Sequence, residues 1–550
     1  MFSRLPILLI LAFGVGCGAD ATPVGDSGLS DAGSDAGPPD AGSLDAGAPP
    51  EVEVSFGDGT VVGRTLRGVH TFLGVPYAAP PVGELRWKAP APVEPWTTRR
   101  DASALGAMCP QVNVLIGADT LEGDEDCLFV NVFTPELAPA APLPVLVWFH
   151  GGAFVLGSGG VSPGRLAEVS STVVVTVNYR LDELGFMAHS ALTAEGGGRS
   201  GNYGLLDQRA ALEWVRDNIA AFGGDAGNVT IAGESAGGIS VVLHGVSPGS
   251  AGLFHRAIVE SGPADVLEPP TLAAAEARGA ATASRVGCTD AATMLACLRA
   301  KSVAELVGAG DVFALPGGLF YQGGFPVPTP VVDGTTIPES PAAAYAAGRF
   351  THVPFLVGSN ADEGTLFHAS LLSTPVANEV EYRAAVGRAR PGSADVIVAQ
   401  YPVASYANAN AALTAATSDF FSCATRRFAR ATSDAGAPTW LYSFEAVPSG
   451  AFVSALHLGS YHAAELLFLF DLDDPQLGRP AAADRALVGT MQGYWTRFAA
   501  AGDPSGGTAP TWPAYETATD RHLSLVTPPA AGEAHLHAEC DFWDTVAAAR

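Results

Sequence analysis

Four short apolar runs, separated by segments of helical periodicity, constrain the fold of this chain most. Apolar residues occupy adjacent positions in these runs, as expected of strands that are covered on both faces. The runs are PLPVLVWFHGG (142–152), STVVVTVNY (171–179), NVTIAG (228–233) and HVPFLVGSN (352–360). Residues 205–222, between the second and third runs, carry apolar side chains at helical spacing. This alternation predicts an α/β fold with a large, mostly parallel central sheet flanked by helices.

Ser235 stands in the stretch GESAG, which begins at the end of the third apolar run. Gly233 and Gly237 permit a tight turn from a strand into a helix, and such a turn can present a serine as a nucleophile. The following residue, Ala236, keeps the backbone N–H that a developing oxyanion needs. The alternative is a purely structural turn, in a chain that contains 64 glycines.

The pattern Gly-x-Ser-x-Gly also occurs as GVSPG around Ser162 and again around Ser247. In both places a proline follows the serine, and proline has no backbone N–H to donate to an oxyanion. We therefore interpret Ser162 and Ser247 as turn serines and assign the nucleophile to Ser235.

A serine nucleophile needs a site that holds negative charge, and the end of the first apolar run offers one. The run continues into HGGAF, residues 150–154. Small residues let backbone N–H groups approach a substrate without obstruction. We expect an oxyanion hole formed by Gly151, Gly152, Ala153 and Ala236. A glycine-rich turn without this role is the alternative.

Further blocks follow in order, among them FLGVPYAAPPVGELRW (72–87), EDCLFVNVFTP (125–135) and GSYHAAELLFLF (459–470). Together with HGGAF, GESAGG and GSNADEG, they resemble the type-B carboxylesterase family, the α/β-hydrolases that include bacterial para-nitrobenzyl-type esterases and cholinesterases. The resemblance covers nearly all of residues 53–545. It implies the α/β-hydrolase fold and hydrolysis of carboxylic esters. No Pro/Ser-rich linker divides residues 51–550, so we expect one catalytic domain there.

The resemblance implies a catalytic triad of Ser235 as nucleophile, Glu363 of GSNADEG as acid and His462 of GSYHAAEL as base. Their order along the chain, serine then acid then histidine, is the order that α/β-hydrolases use. Asp362 is the competing acid and His457 the competing base, and the family pattern selects neither.

The resemblance also implies roles around the triad. Ser261 would hydrogen-bond the triad acid, and Glu234 would line the site and help to order water. His150 would shape the oxyanion loop instead of accepting a proton. Two structural ion pairs are implied as well: Arg86 with Glu125, and Arg180 with Asp207.

The N-terminal residues predict export. Arg4 and the apolar residues 5–15 are typical of a signal peptide. Gly16 and Cys17 resemble the point at which bacterial lipoproteins are cleaved and lipidated, so we interpret residues 1–17 as a lipoprotein-type signal peptide. Residues 18–50 repeat Asp-Ala-Gly and contain no aromatic or basic residue, which predicts a disordered acidic tether. The alternatives are a secretory peptide cut nearby and a spacer without an anchor. We expect a cell-envelope lipoprotein or a secreted protein.

The chain has seven cysteines, and six remain if Cys17 carries a lipid. Cys109 with Cys127, and Cys288 with Cys297, would each close a short local loop. These two pairs leave Cys423 and Cys540 for each other. The resemblance implies the same three disulfides. The alternative, free buried thiols, is disfavoured in an oxidising compartment. The expected pairs are Cys109 with Cys127, Cys288 with Cys297, and Cys423 with Cys540.

Charge and composition limit the partners of the protein. The formal net charge is −27, with 29 Lys plus Arg, and nucleic-acid binding needs a basic surface that this composition does not supply. The sequence contains no HExxH motif and no paired metal-ligand cluster, so we expect neither a metal nor an organic cofactor. The expected partner is a small-molecule ester.

The residues between Cys109 and Cys127 contain no tryptophan. Cholinesterases stack a quaternary ammonium on a tryptophan in this loop, so a neutral ester of a short or medium acid, or an aryl ester, fits better than a choline ester. Two other functions stay open: a lipase that acts on long-chain lipid esters, and an adhesion protein of cholinesterase-like fold that has lost its catalytic residues. The intact triad residues favour an enzyme.

Overall fold

The structure is a computed structural model that describes residues 49–112, 120–160, 164–307, 327–369, 374–474 and 477–548. The signal peptide with Cys17, the tether up to residue 48, and Ser162 lie outside the described residues, so these expectations stay predictions. Among the described helices, none is long and apolar enough to span a membrane.

The described strands form one large sheet and one small two-stranded sheet. They are β1 Glu51–Phe56, β2 Gly59–Leu66, β3 Val69–Pro76, β4 Arg99–Asp101, β5 Gln111–Val112, β6 Leu121–Glu122, β7 Phe129–Thr134, β8 Leu143–Phe149, β9 Val173–Val177, β10 Gly224–Glu234, β11 Arg256–Glu260, β12 Phe355–Asn360, β13 Thr439–Phe444, β14 His522–Leu525 and β15 Ala530–Gly532. The large sheet has the order β1-β2-β3-β7-β9-β8-β10-β11-β12-β13-β14-β15, with β4 paired to β2, and β5 pairs with β6.

Helices cover both faces of this sheet. Those that the structure describes are α1 Gly164–Val169, α2 Asp182–Phe186, α3 Ser190–Glu195, α4 Tyr203–Asn218, α5 Ala236–Val246, α6 Leu272–Arg285, α7 Met294–Arg299, α8 Val303–Leu306, α9 Pro341–Ala346, α10 Glu363–Phe367, α11 Glu379–Ala389, α12 Ala394–Gln400, α13 Ala409–Asp434, α14 Ala451–Leu456, α15 Glu465–Leu469, α16 Arg485–Ala501 and α17 His537–Ala548.

The predicted strands lie at the centre of the sheet and are buried on both faces. Successive residues of β8 point into two different hydrophobic clusters. Val145 and Val147 pack in one cluster, and Leu146 and Trp148 pack in the other. Two cores need two apolar faces, which explains why the run is apolar at adjacent positions. The α/β prediction is therefore confirmed.

The sheet is parallel from β9 through β8, β10, β11, β12 and β13 to β14. The strands at its N-terminal edge, β1, β2, β3 and β7, are antiparallel. β1 is mostly exposed, as antiparallel edge strands commonly are. The expected helix over residues 205–222 is α4 followed by a 3₁₀ turn at Ile219–Phe222.

The structure joins the six cysteines in the three expected pairs. The Cα–Cα distances are 4.9 Å for Cys109–Cys127, 5.7 Å for Cys288–Cys297 and 4.9 Å for Cys423–Cys540. The last of these ties α13 to α17. The two expected ion pairs are also present, with N–O distances of 2.5 Å for Arg86–Glu125 and 2.7 Å for Arg180–Asp207.

Candidate active site

Ser235 occupies a strained turn between β10 and α5. Its φ of 56° and ψ of −120° lie in a region that non-glycine residues rarely adopt. The Ser235 N–H donates to the backbone oxygen of Glu260 on the neighbouring strand at 2.8 Å, and this bond helps to hold the turn. The side chain is partly exposed, so a substrate can reach it.

The expected oxyanion loop lies beside this turn. β8 and β10 run parallel with Phe149 opposite Gly233, so the residues that follow each strand emerge together. A Cβ added at Gly151 would lie 3.2 Å from the Ser235 Cβ. Gly152 has a φ of 106°, which suits glycine. Ala236 is the first residue of α5, so its N–H has no acceptor within that helix.

Glu363 begins α10, directly beyond the end of β12. Its Oε2 lies 2.5 Å from Nδ1 of His462. Its Oε1 accepts the hydroxyl of Ser261 at 2.5 Å and the N–H of Asn360 at 2.8 Å. These contacts hold the carboxyl group in place, and the contact with Nδ1 fixes the orientation of the imidazole.

The imidazole of His462 packs against Phe367 and Phe421, with ring centroids 4.6 and 5.5 Å away. Its Nε2 lies 3.1 Å from Oε1 of Glu234, at an angle unsuited to a hydrogen bond. None of the described residues, Ser235 included, forms a hydrogen bond with Nε2 in this structure. Catalytic hydrogen bonds are often long without substrate and tighten when it binds, so the expected Ser235–His462 hydrogen bond stays a prediction.

The residues that were alternatives for the triad acid, base and nucleophile have other contacts or positions. Asp362 accepts the N–H of Ser460 at 2.9 Å, which caps the loop before His462. His457 is exposed at the end of α14. Ser247 follows α5, so it lies at the end of a helix and not in a strand-to-helix turn.

His150 is buried, and its ring stacks on Tyr179 at a centroid distance of 4.3 Å. Its Nδ1 lies 2.8 Å from the backbone oxygen of Gly151. Burial lowers the pKa of His150 to about 4, so the ring is neutral at pH 7. These contacts suit a residue that shapes the oxyanion loop.

Two buried carboxyl groups near the triad were not expected from the sequence. Glu260 ends β11, and Glu465 lies three residues after His462, at the start of α15. With Glu234 and Glu363 they make four glutamates that are at most 4% exposed. The only sequence signal for Glu465 was its spacing of three residues from His462, which is close to one helical turn. Glu260 had no such signal.

These carboxyl groups cannot all be ionised, because they are buried away from water and their negative charges would repel one another. Burial, with the charges of Glu363 and Glu260, raises the pKa of Glu234 well above its ordinary value. Burial raises the pKa of Glu260 to about 8. Burial and the neighbouring carboxyl groups likewise raise the pKa of Glu465 well above its ordinary value.

This arrangement predicts that raising the pH from about 5 to about 8 lowers the free energy of unfolding by up to a few kcal/mol. An unfolded glutamate loses its proton near pH 4.5, whereas Glu260 in the folded protein keeps it until about pH 8. The contribution of Glu260 to stability is therefore complete below about pH 4.5 and is lost as the pH rises to about 8. Glu234 and Glu465 act in the same direction.

Urea unfolding over this pH range measures the effect. The double substitution Glu260→Gln with Glu465→Gln should flatten the dependence on pH, and Glu94→Gln, at an exposed position, should leave it as in the wild type. A wild-type protein whose stability follows the same pH dependence as the double variant would contradict the neutral carboxyl groups.

No metal ligand set accompanies these residues. Within the ranges that the structure describes, no group of three or more His, Cys, Asp or Glu side chains is placed to hold a metal ion.

Comparison with known proteins decides the family. The model of the carboxylesterase family matches residues 48–543. This chain belongs to the carboxylesterase family. The carboxylesterase is 37% identical over 484 residues to the para-nitrobenzyl esterase of Bacillus subtilis (strain 168), covering 85% of this chain and 93% of that one. It is 35% identical over 514 residues to the cocaine esterase of Oryctolagus cuniculus, covering 87% of this chain and 92% of the relative.

A solved structure of PNB esterase has the same fold. It superimposes on the carboxylesterase with a TM-score of 0.76 and 34% sequence identity, over 89% of this chain and 99% of that one. The predicted family and α/β-hydrolase fold are confirmed. This protein is a carboxylic ester hydrolase, and the non-catalytic adhesion function is set aside.

Proposed function

We propose that this carboxylesterase cleaves its ester through an acyl-enzyme formed on Ser235. His462 takes the proton of the Ser235 hydroxyl while Glu363 orients the imidazole, and the serine oxygen attacks the ester carbonyl carbon. The proton then passes from His462 to the leaving alcohol. The observation that carries this proposal is the 2.5 Å contact between Glu363 and His462 next to the strained turn at Ser235.

In the proposed reaction, backbone N–H groups hold the negative charge that develops on the carbonyl oxygen. They belong to Gly151, Gly152, Ala153 and Ala236. A water molecule, ordered with the help of Glu234, then gives a proton to His462 and attacks the acyl-enzyme. When the bond between the acyl group and the Ser235 oxygen breaks, His462 returns the proton to this oxygen, the acid leaves and the hydroxyl is restored.

Acid quenching during turnover of para-nitrophenyl acetate tests the covalent step. Digestion and mass spectrometry should find the acetyl group on Ser235, and the peptide that contains Ser247 should carry none. Acetyl transfer to another residue, with Ser235 unmodified under conditions of rapid turnover, would refute the acyl-enzyme proposed at this position.

The proposed substrates are neutral esters of short or medium acids, and aryl esters. The absence of tryptophan between Cys109 and Cys127 disfavours stacking of a quaternary ammonium there. The name of the bacterial relative, para-nitrobenzyl esterase, is in keeping with an aromatic ester.

A series of para-nitrophenyl esters of increasing acyl length, with an emulsified triglyceride alongside, tests this choice. We expect kcat/KM to be highest for short or medium acyl chains and the rate on the triglyceride to be low. A rate that rises steadily with chain length and is high on the emulsion would identify a lipase instead.

We further propose that the protein is exported and is anchored through a lipid on Cys17, with residues 18–50 as its tether. Disulfides persist in oxidising compartments, and the three pairs described above support a location in the cell envelope or outside the cell. Metabolic labelling with a fatty acid, in the wild type and in Cys17→Ala, tests the anchor.

A further inference from the structure

Glu260 and Ser261 contact the nucleophile and the triad acid from the end of one strand. The backbone oxygen of Glu260 accepts the N–H of Ser235 at 2.8 Å. The hydroxyl of Ser261 donates to Oε1 of Glu363 at 2.5 Å. A shift of this strand end would therefore change the positions of the turn at Ser235 and of the Glu363 carboxylate together.

The side chain of Glu260 is held by helix α16. Nε1 of Trp495 donates to Oε1 of Glu260 at 2.9 Å, and both side chains are fully buried. The Trp495 ring packs against Tyr442 and Trp512, with centroids 5.4 and 6.0 Å away, so its N–H has a fixed position. Removal of either partner would leave a buried polar group unpaired, which is costly.

No charged partner explains why a carboxyl group is buried here. Among the described residues, no Lys or Arg contributes to the electrostatic environment of Glu260, and its Oε2 has no hydrogen-bond partner there. Burial raises the pKa of Glu260 to about 8, which favours the neutral form of the group. The feature of Glu260 that the structure uses is therefore a hydrogen-bond acceptor for Trp495.

We propose that Glu260 is a positioning residue for ester hydrolysis: Trp495 holds its side chain, and this contact fixes the strand end that binds Ser235 and orients Glu363 through Ser261. The inference rests on the triad proposed above. It requires an acceptor at residue 260 and requires no negative charge there.

Two tryptophan substitutions form a matched test. Trp495→Phe removes the donor to Glu260. Trp87→Phe removes a donor of similar burial, whose acceptor is the backbone oxygen of Glu183 at 2.7 Å and which lies in a different hydrophobic cluster from Trp495. With para-nitrophenyl acetate, we expect Trp495→Phe to lower kcat about 10- to 100-fold with little change in KM, because small displacements of reacting groups have effects of this size. Trp87→Phe should lose stability but keep kcat within about twofold of wild type.

Substitutions of Glu260 separate the acceptor from the charge. Glu260→Gln keeps an oxygen for Trp495 and should keep kcat within about threefold of wild type at pH 7. Glu260→Met has a similar length and no such acceptor, and its kcat should fall as in Trp495→Phe. The rate of labelling by a fluorophosphonate, which requires an assembled serine site, should follow kcat in all four variants.

The proposal is overturned if folded Trp495→Phe keeps the wild-type kcat, if Trp87→Phe loses as much kcat, or if Glu260→Gln is as impaired as Glu260→Met. If Glu260→Met does not fold, the two tryptophan variants decide. Failure of the triad itself gives a different result, since Ser235→Ala would then keep its activity and its labelling whatever residue 260 does.

Discussion

Ser235→Ala should lower kcat for para-nitrophenyl acetate by about 10⁴- to 10⁶-fold, with KM little changed. Without the hydroxyl no acyl-enzyme can form, and the hydrolysis that remains comes from the oxyanion hole and from substrate binding. The unfolding midpoint should stay close to that of the wild type, or rise, since the loss of one hydroxyl removes little packing and the strained turn is a cost to stability.

Ser247→Ala is the matched control. Ser247 belongs to the same Gly-x-Ser-x-Gly pattern, is buried, and lies at the end of the helix that begins beside Ser235. It should keep the wild-type kcat within about twofold. Steady-state kinetics of both variants measures the difference. Activity that survives Ser235→Ala but is lost in Ser247→Ala would reverse the assignment of the nucleophile.

Gly237→Ala should lower both stability and activity strongly. A Cβ at residue 237 would lie 2.0 Å from the backbone oxygen of Phe149 and 3.0 Å from that of His150. Backbone atoms cannot turn aside as a side chain can, so helix α5 must move away from the end of β8. We expect a loss of about 3 kcal/mol or more in the free energy of unfolding. The same movement displaces the oxyanion loop from Ser235, and we expect kcat to fall about 100-fold.

Gly489→Ala supplies the opposite case. Gly489 lies in the interior of helix α16, is exposed, and has no heavy atom within 4 Å of the Cβ that alanine would add. The substitution should raise the free energy of unfolding by about 0.5–1 kcal/mol and leave kcat unchanged. Urea unfolding with para-nitrophenyl acetate assays measures both effects. A Gly237→Ala variant as stable and active as Gly489→Ala would show that the helix and the strand are not in close contact there.

The strands and the serine turn could be predicted because their signals are local. β8, β9 and β10 are apolar at adjacent positions since each separates two cores, and this pattern is visible in a single run. Ser235 could be distinguished from Ser247 by the chemistry of one neighbouring residue, proline, which has no N–H. The antiparallel N-terminal edge was not predicted, because its outer strands β1 and β2 are partly exposed and therefore lack a continuous apolar run.

The carboxyl groups behind the triad could not be predicted in this way. Glu260 follows Arg256–Val259 in a short strand, where one glutamate is typical of an exposed position. Its partner, Trp495, is 235 residues away along the chain, and only the packing of α16 on the sheet brings them together. The pKa of Glu260 likewise depends on burial, which no sequence motif encodes.

The contact between Ser235 and His462 also depends on more than the sequence. The resemblance named both residues, yet Nε2 of His462 lies near Glu234 in the structure, and its hydrogen bond to the serine is expected to form as substrate binds. The catalytic account requires this bond more than any other contact.

A crystal structure of the protein after reaction with a fluorophosphonate directly measures the distance between Nε2 of His462 and the oxygen of Ser235. We expect phosphorus bonded to Oγ of Ser235, the phosphoryl oxygen within about 3.1 Å of the N–H groups of the HGGAF loop and of Ala236, and Nε2 of His462 within hydrogen-bond distance of the serine oxygen or the phosphonate. An adduct on another residue, or a His462 imidazole that stays turned away from a modified Ser235, would contradict the account.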